Sequence, residues 1–378
     1  MQTQVDIAIA GGGPVGLAIA GMLIARGIDA HKIAVIDAKS LSVAAEDPRS
    51  VALSYGSRQL LEQIHGWPTT ATPIQEIHIS RRGSFGRTLI EAAEYKLPAL
   101  GYVCRYGDVV SALADGLSNS ELHQIRPSRI ASINEDSDQV SIELSDGQTL
   151  TAKLAIQAEG GVFGEQALRA KHRDYQQCAI VARVETSSPR PDRAFERFTE
   201  EGPLALLPQA GGYALVWCVR PEHSEQLMAL ADEAFLQALQ QAFGQRVGRF
   251  INVGSRSTYP LGLNAQAINT ARTLAIGNAA QTLHPVAGQG LNLGLRDAVV
   301  LADLLAKEMS PVAFTTFEHK RQADRGTTIR ITDWMARVFA SAPDQSLTQT
   351  MLGMSLGLID VTPSAKRWLA SHMMFGLR

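Results

Sequence analysis

A glycine-rich turn between an apolar run and a periodic segment constrains this chain more than any other feature. Residues 5–10 (VDIAIA) are apolar and have the length of a strand. The turn that follows fits G-x-G-x-x-G and consists of Gly11, Gly12, Gly13, Pro14, Val15 and Gly16. Apolar residues then recur every three or four positions as far as Arg26, which predicts a helix. A second apolar run, 32–36, predicts another strand and ends at Asp37.

This order of strand, glycine turn, helix, strand and acid predicts a dinucleotide site. Glycines let the backbone approach a pyrophosphate, which lies at the positive end of the helix. Asp37 stands 21 residues beyond Gly16, where an acid can accept hydrogen bonds from a ribose. The acid does not by itself distinguish FAD from NAD.

A second glycine-rich segment, 273–292, lies far downstream. It begins as an apolar strand, passes through a loop containing Pro285, and becomes a helix from Gly288. The apolar face of that helix comprises Leu291, Leu295, Ala298, Val299, Ala302 and Leu305. A helix start offers backbone N–H groups and a positive dipole end, which would stabilise the negative charge that reduction places on a flavin. Taken alone, the segment fits a packing turn equally well.

The chain resembles the class A FAD-dependent aromatic hydroxylases, in particular the ubiquinone-biosynthesis branch, over residues 5–375. Beyond the first turn, the motifs that carry the resemblance are 49–54, 101–103, 194–199, 202–208, Trp217 and 259–261. The run 278–285 (NAAQTLHP) is most similar to the 2-polyprenyl-6-methoxyphenol hydroxylase subgroup. The resemblance implies FAD as the cofactor and NAD(P)H as a transient co-substrate.

The resemblance also implies site residues beyond the first turn and Asp37. Cofactor contacts are expected from Arg49, Arg105, Glu159, Asn278, Pro285, Gly288, Gly290, Leu291 and Asn292. Arg49 would lie beside the flavin, the alternative being a solvated surface arginine, and for Arg105 the two interpretations are evenly balanced. His284 is expected to be a packing histidine next to the flavin loop, so neither it nor Pro285 is assigned a proton transfer.

Two positions depart from the family pattern, which has aspartate where this chain has Asn278 and Glu159. The amide of Asn278 can still accept a hydrogen bond, but without charge assistance, a difference between about 1 and about 1.5–3 kcal/mol. No second strand–GxGxxG–helix unit occurs, so NAD(P)H is expected to bind transiently at a surface without a Rossmann motif. These departures also suggest an alternative, a non-catalytic flavoprotein-like subunit of a biosynthetic complex.

The sequence predicts a mixed α/β fold with two interleaved domains and C-terminal helices. The Rossmann-like FAD-binding domain is expected over 1–73, 101–172 and 262–340. A largely antiparallel substrate domain is expected over 74–100 and 173–261, and a helical tail over 341–378. Within the substrate domain, 253–260 is predicted as one strand and 222–242 as one helix.

Composition excludes several other classes of protein. Lys plus Arg (35) nearly balances Asp plus Glu (37), so no global field favours nucleic acid. Cys104, Cys178 and Cys218 lie too far apart for a CxxC site, so neither a metal nor a disulfide framework is expected, and a cytoplasmic location is the default.

The apolar tail favours core packing or a subunit contact in a homo-oligomer. The alternative is peripheral contact with the inner face of a membrane or with a quinone-biosynthesis complex.

The reaction implied by the resemblance is hydroxylation of a polyprenylated methoxyphenol in ubiquinone biosynthesis. NAD(P)H would reduce FAD, and O2 would give a C4a-hydroperoxide whose distal oxygen attacks the ring of this hydrophobic phenol. Hydroxylation of another ring position, or of a smaller phenol, is the alternative within the same chemistry.

Overall fold

The computed structural model describes residues 3–82, 87–159, 172–264, 269–281, 283–284, 288–340 and 363–376. The strands within these ranges are β1 (Thr3–Ala10), β2 (Ile33–Ile36), β3 (Ser50–Ser54), β4 (Thr72–Ile74), β5 (Glu76–Arg81), β6 (Arg87–Glu91), β7 (Gly101–Arg105), β8 (His123–Ile125), β9 (Ile130–Glu135), β10 (Val140–Leu144), β11 (Thr149–Gln157), β12 (His172–Thr186), β13 (Arg193–Phe198), β14 (Pro203–Gln209), β15 (Gly212–Val219), β16 (Phe250–Val253), β17 (Ser257–Asn264) and β18 (Thr273–Ala275). The α-helices are α1 (Pro14–Ala25), α2 (Leu41–Ala45), α3 (Tyr55–Glu62), α4 (Tyr106–Gly116), α5 (Pro221–Ala229), α6 (Asp232–Phe243), α7 (Gln289–Leu305), α8 (Pro311–Ala340) and α9 (Pro363–Phe375).

A sheet in the order β8-β2-β1-β11-β10-β9, with β18 beside β11, forms the first layer. Its centre is parallel, because β1 pairs in parallel with both β2 and β11, while β10 closes an antiparallel hairpin onto β11. Helices α1, α4 and α7 contribute to the apolar core on one face of this sheet. Helix α1 is buried on nearly every side over its first ten residues, so it is sandwiched between the sheet and its helical neighbours.

A second, largely antiparallel sheet has the order β16-β12-β15-β14-β13-β5-β6, with β17 also paired to β12. Helix α6 and β15 share an apolar cluster containing Trp217, Phe235 and Phe243. A small sheet, β3-β7-β4, is the third. Strands of the two large sheets alternate along the chain, which confirms the mixed α/β class; the domain boundaries themselves stay a prediction.

Two predicted elements in the second sheet region are wrong in extent. The strand predicted over 253–260 is divided between β16 and β17. Both pair with β12, and Val184 opposes Val253 while Val181 opposes Ser257. Between these two pairs β12 spans three residues, whereas the segment from β16 to β17 spans four. The extra residue breaks the pairing.

The helix predicted over 222–242 is divided into α5 and α6, because Leu230 is extended, with ψ 146°. Arg256 stabilises this break by donating to the carbonyl oxygens of Leu227 (3.3 Å) and Leu230 (2.8 Å) and to Asp232 (3.1 Å). These partners lie far from Arg256 in sequence, so helical periodicity alone could not reveal the break.

Helix α9 is the described part of the predicted tail, and 341–362 lie outside the described residues. Ala370 and Met374 are buried, Phe375 packs edge-on against Tyr55, and Lys366 bonds Glu94 at 2.7 Å. The described helix is therefore packed against the protein, as the core-packing interpretation expected. Of the helices that the structure describes, none combines the length and apolar character needed to span a bilayer.

Candidate active site

A cavity of about 540 Å³ opens where β1 ends and α1 begins. Gly11, Gly12 and Gly13 form one wall, and Gly11 adopts the left-handed φ of 101°. The remaining lining residues are Asp37, Ala38, Lys39, Ala44, Asp47, Arg49, Tyr106, Arg129, Ile130, Ala158 and Glu159. The structure therefore brings the glycine turn, Asp37, Arg49 and Glu159 to one cavity, and their contacts with a cofactor stay a prediction.

Asp37 holds the glycine turn in shape. Its Oδ2 accepts a hydrogen bond from the backbone N–H of Gly12 at 2.7 Å, and its Oδ1 accepts one from Lys39 N–H at 2.7 Å. Each carboxylate oxygen can accept a further hydrogen bond, so the predicted contact with a ribose stays compatible with this geometry.

Arg126 is a residue that sequence reasoning missed. Its Nη2 donates to the carbonyl oxygen of Gly12 and lies 4.0 Å from Asp37 Oδ2. The side chain is only 5% exposed, yet its Nε and Nη1 have no hydrogen-bond partner among the described residues. Burial lowers the pKa of Arg126, against the opposing charge of Asp37. Arg126 is not among the residues lining the cavity, but its unpaired buried donors lie beside the glycine turn, where they suit the anionic pyrophosphate of FAD.

Arg49 and Arg105 lie at the same end of the antiparallel pair β3–β7, where Ser50 pairs with Arg105, but their surroundings differ. Arg49 forms a two-point contact with Asp47 (Nε–Oδ1 2.9 Å, Nη2–Oδ2 2.7 Å) and lies over the ring of Tyr106, 4.7 Å from its centroid. Its hydrogen bond with Asp47 raises the pKa of Arg49. The Arg105 side chain is as exposed as that of Arg49 (48% each), but it lies 3.7 Å from Asp108 and is not among the residues lining the cavity. This favours the surface interpretation for Arg105; its predicted cofactor contact stays untested.

Glu159 has an unusual protonation equilibrium. Burial, together with the negative charge of Asp37, raises its pKa to about 7, and Arg129 opposes the shift. A carboxyl group at this position is therefore largely protonated below neutrality, where an ordinary glutamate is charged.

We expect Glu159 to make the FAD-free protein less stable as the pH rises from about 4.5 to about 7. The folded state holds this proton more tightly than the unfolded state, so stability falls with pH across that window. Glu159→Gln should abolish this fall and stabilise the protein at pH 8 by roughly 1 kcal/mol, after allowance for partial exposure. Urea denaturation at pH 5 and pH 8 measures the free energy of unfolding of both proteins. An equal change of this free energy between the two pH values in the wild type and in Glu159→Gln would contradict the raised pKa.

The second glycine segment packs directly against the first. Gly277 has a left-handed φ of 59°, and an ideal Cβ there would lie 3.3 Å from the side chain of Val15. At Gly294 in α7, such a Cβ would lie 2.8 Å from Val15 Cγ2 and 3.1 Å from the Cα of Gly277. Only glycines allow this approach, so the two predicted segments meet around Val15.

Helix α7 begins as predicted, with Gly288 as a left-handed N-cap (φ 59°). Its start carries Gly290, where an ideal Cβ would lie 3.6 Å from Asn278 Oδ1, so the Asn278 side chain reaches the helix start. Pro285 lies outside the described residues, and nothing is concluded about it.

Asn292 has a structural role that differs from the predicted one. Its Oδ1 accepts from Ser54 N–H (2.8 Å) and the Ser57 hydroxyl (2.7 Å). Its Nδ2 donates to the carbonyl oxygens of Ala52 (3.0 Å) and Gly288 (2.7 Å). These four bonds use the donors and acceptors of the side chain, which ties α7 to β3. Any contact of Asn292 with a cofactor would therefore come from its backbone.

His284 is 1% exposed and forms a hydrogen bond between its Nε2 and Gln177 Oε1 at 2.9 Å. The ring of Tyr175 packs edge-on against it, with centroids 5.1 Å apart. Burial lowers the pKa of His284 to about 4, so the imidazole is neutral near pH 7. This is the environment of a packing histidine.

A second cavity, of about 280 Å³, separates the start of α7 from the second sheet. It is mostly apolar and is lined by Ser50, Val51, Ala52, Ile74, Ile77, Ile79, Ala194, Phe195, Glu196, Ala205, Leu207, Val216, Gly288, Gly290, Leu291 and Met373. Sequence reasoning identified Gly288, Gly290 and Leu291, whereas the sheet and tail residues become neighbours only in the fold. No cluster of His, Cys, Asp or Glu suited to a metal ion occurs in the part of the chain that the structure describes.

Comparison with known proteins agrees with this geometry. The family model of the FAD binding domain matches residues 4–325. The fold is similar to p-nitrophenol 4-monooxygenase from Pseudomonas putida, with a TM-score of 0.79 at 17% identity over 100% of both chains. The chain therefore belongs to the family of the FAD binding domain, with FAD as its cofactor, and it shares its fold with a monooxygenase.

The sequence relatives narrow the class. Ubiquinone hydroxylase UbiL of Rhodospirillum rubrum is 32% identical, covering 99% of this chain and 90% of the relative. The 3-demethoxyubiquinol 3-hydroxylase of Escherichia coli is 31% identical over 81% of this chain and 80% of its own length. Within the FAD-dependent monooxygenases, the chain belongs to the family of ubiquinone-biosynthesis hydroxylases, which confirms the resemblance.

Proposed function

We propose that this chain hydroxylates the ring of a polyprenylated methoxyphenol in ubiquinone biosynthesis, with NAD(P)H as reductant and O2 as co-substrate. The observation that carries the proposal is the apolar cavity between the second sheet and the start of α7. It adjoins the helix start that the family resemblance assigns to the flavin, and its aliphatic walls suit a hydrophobic ring.

The chain's own residues would hold and shield the reacting groups. The turn Gly11–Gly13, Asp37 and Arg126 would bind the pyrophosphate and ribose end of FAD, and the start of α7 would stabilise negative charge on its flavin end. When bound, FAD supplies the redox and oxygen-transfer chemistry. The side chains of Ile77, Ile79 and Leu207 would exclude water from the ring.

The purified protein with FAD, NADPH, O2 and a short-chain 2-prenyl-6-methoxyphenol should give a product heavier by one oxygen atom. Mass spectrometry detects it, and product made under 18O2 should carry the label. Rapid-mixing reduction of the bound flavin by NADPH and by NADH would identify the reductant. A protein that binds FAD but neither accepts electrons nor forms product would overturn the proposal and favour a non-catalytic subunit.

Hydroxylation of another ring position is the second candidate, because one relative is named for a reaction at ring position 3. Quinone precursors in cells with and without this protein distinguish the two. An accumulated methoxyphenol supports the first candidate, and an accumulated demethoxyquinol supports the second.

Peripheral contact through 341–378, with a membrane or with a quinone-biosynthesis complex, is proposed because a polyprenylated substrate has to be delivered from lipid. Met373 of α9 lines the apolar cavity, so this helix lies near the proposed substrate route. Co-sedimentation of the full chain with phospholipid vesicles tests the contact, and light scattering tests the proposed homo-oligomer.

A further inference from the structure

Glu196 occupies an unusual position in the apolar cavity. Among the described lining residues of that cavity it is the one ionisable side chain; the others are apolar or, in one case, a serine. Ala194 and Glu196 are two residues apart on β13, so their side chains project from the same face of the sheet. That face is the one on which Gly290 and Leu291 close the cavity.

The neighbours of Glu196 across the sheet are apolar. In register with it stand Ile79 on β5 and Ala205 on β14, and Ala205 is in turn opposite Val216 on β15. All three line the same cavity. On β15, two strands away in the sheet, the buried thiol of Cys218 interacts with Glu196, and its pKa is raised by burial and then by Glu196. Burial is the cause that shifts the pKa of Glu196 itself. No cation therefore compensates a charge on this carboxyl within the described residues.

One oxygen of the carboxyl group is left without a partner. Glu196 Oε1 is shielded from solvent and has no hydrogen-bond partner among the described residues. Burial raises the pKa of Glu196 to about 8, so the group is largely neutral at pH 7 and can both donate and accept. A buried polar oxygen without a partner is unfavourable, and a ligand that satisfies it relieves that penalty.

We propose that the Glu196 carboxyl hydrogen-bonds the hydroxyl group of the phenolic substrate and thereby orients its ring against the start of α7. The inference rests on the proposed function, which supplies a phenol. A phenol hydroxyl carried into an aliphatic cavity needs a partner. Glu196 offers one, whereas the hydroxyl of Ser50, the other polar lining side chain, already donates to Gln209 Oε1 at 2.8 Å. The residue is thus a substrate-binding group that selects phenols over ring compounds without a free hydroxyl.

The test compares two ligands that differ only at the hydroxyl, 2-methoxy-6-methylphenol and its O-methyl ether. Their dissociation constants are measured from changes in the absorbance of bound FAD in the wild type, Glu196→Leu and Glu196→Gln. The wild type should prefer the phenol by about 10-fold, and Glu196→Leu should reduce that preference to within about 2-fold. Glu196→Gln keeps a donor and an acceptor and should retain most of it.

Leu207→Ala is the matched control, since it changes the same cavity without changing its polarity and should weaken both ligands by similar factors. The spectrum of bound FAD verifies that each variant is folded, and Glu196→Met repeats the loss of polarity with a more flexible side chain. An unchanged phenol preference in Glu196→Leu and Glu196→Met would overturn the inference, and so would a loss in Glu196→Gln as large as in Glu196→Leu. A wild type that binds neither ligand nor a prenylated phenol would instead overturn the proposed function.

Discussion

Replacing Asp297 with alanine is expected to lower the free energy of unfolding by about 3–5 kcal/mol, the cost of removing one partner from a buried ion pair. Asp297 is 0% exposed on α7 and accepts hydrogen bonds from Arg321 Nε and Arg325 Nη2 on α8, each at 2.8 Å. The alanine variant leaves both guanidinium groups in the interior without this carboxylate.

The same carboxylate supports the second glycine segment. Its Oδ2 accepts hydrogen bonds from the backbone N–H of Gly277 and from Gln281 Nε2, each at 3.3 Å. Burial by itself would raise the pKa of Asp297, but Arg325 and Arg321 outweigh it, so the pKa lies below its usual 3.8. Its stabilisation is therefore complete above that value and is lost as the pH falls through the lower, folded-state pKa.

Urea denaturation at pH 7 measures the effect, and Asp303→Ala is the matched control. Asp303 lies on the same helix and pairs with Arg26 at 2.6 Å, but its side chain is 56% exposed. Exposed pairs contribute about 0.2–1 kcal/mol, so the control should change stability by no more than that. Similar losses in the two variants would show that burial does not decide the strength of these pairs.

Gly16→Ala is expected to be the second large effect, a loss of FAD affinity of at least about 10-fold with a stability cost of about 1–3 kcal/mol. An ideal Cβ at Gly16 would lie 1.8 Å from the carbonyl oxygen of Gly11. That oxygen belongs to the backbone of the turn and cannot rotate away, so the turn must open. Because Gly11 lines the larger cavity, the opening distorts the wall that faces FAD.

Gly27→Ala separates this effect from a general loss of stability. Gly27 follows the same helix with φ 88°, but nothing lies within 4 Å of an ideal Cβ there. Alanine should cost about 1 kcal/mol through backbone strain and leave FAD bound. Titration of the FAD-free proteins with FAD measures the affinity of both variants. Equal affinity in Gly16→Ala and the wild type would contradict the expected distortion.

The predictions that the structure confirms rest on local patterns. Helix α1 begins at Pro14 and α7 at Gln289, because each start is encoded by neighbouring glycines and by apolar residues at helical spacing. The contact between the two segments, in which Val15 packs against Gly277 and Gly294, was not readable from either motif.

What the sequence missed depends on partners that are distant along the chain. Arg126 reaches the glycine turn only because β8 lies beside β2 at the edge of the first sheet. The break between α5 and α6 depends on Arg256, which directly precedes β17 and donates a hydrogen bond to the Leu230 carbonyl oxygen. Asn292 was predicted to contact the cofactor, but its side chain hydrogen-bonds the backbone of β3 and so joins α7 to this strand.

The sequence by itself determined the two glycine-opened helix starts, because spacing and residue type act over a few neighbouring residues, and its resemblance to a known family implied FAD. Only the tertiary structure decided which side chains meet at the cavities. It placed Glu196 in an aliphatic wall and Arg126 behind the glycine turn, since burial and unsatisfied hydrogen bonds arise when remote strands pack together.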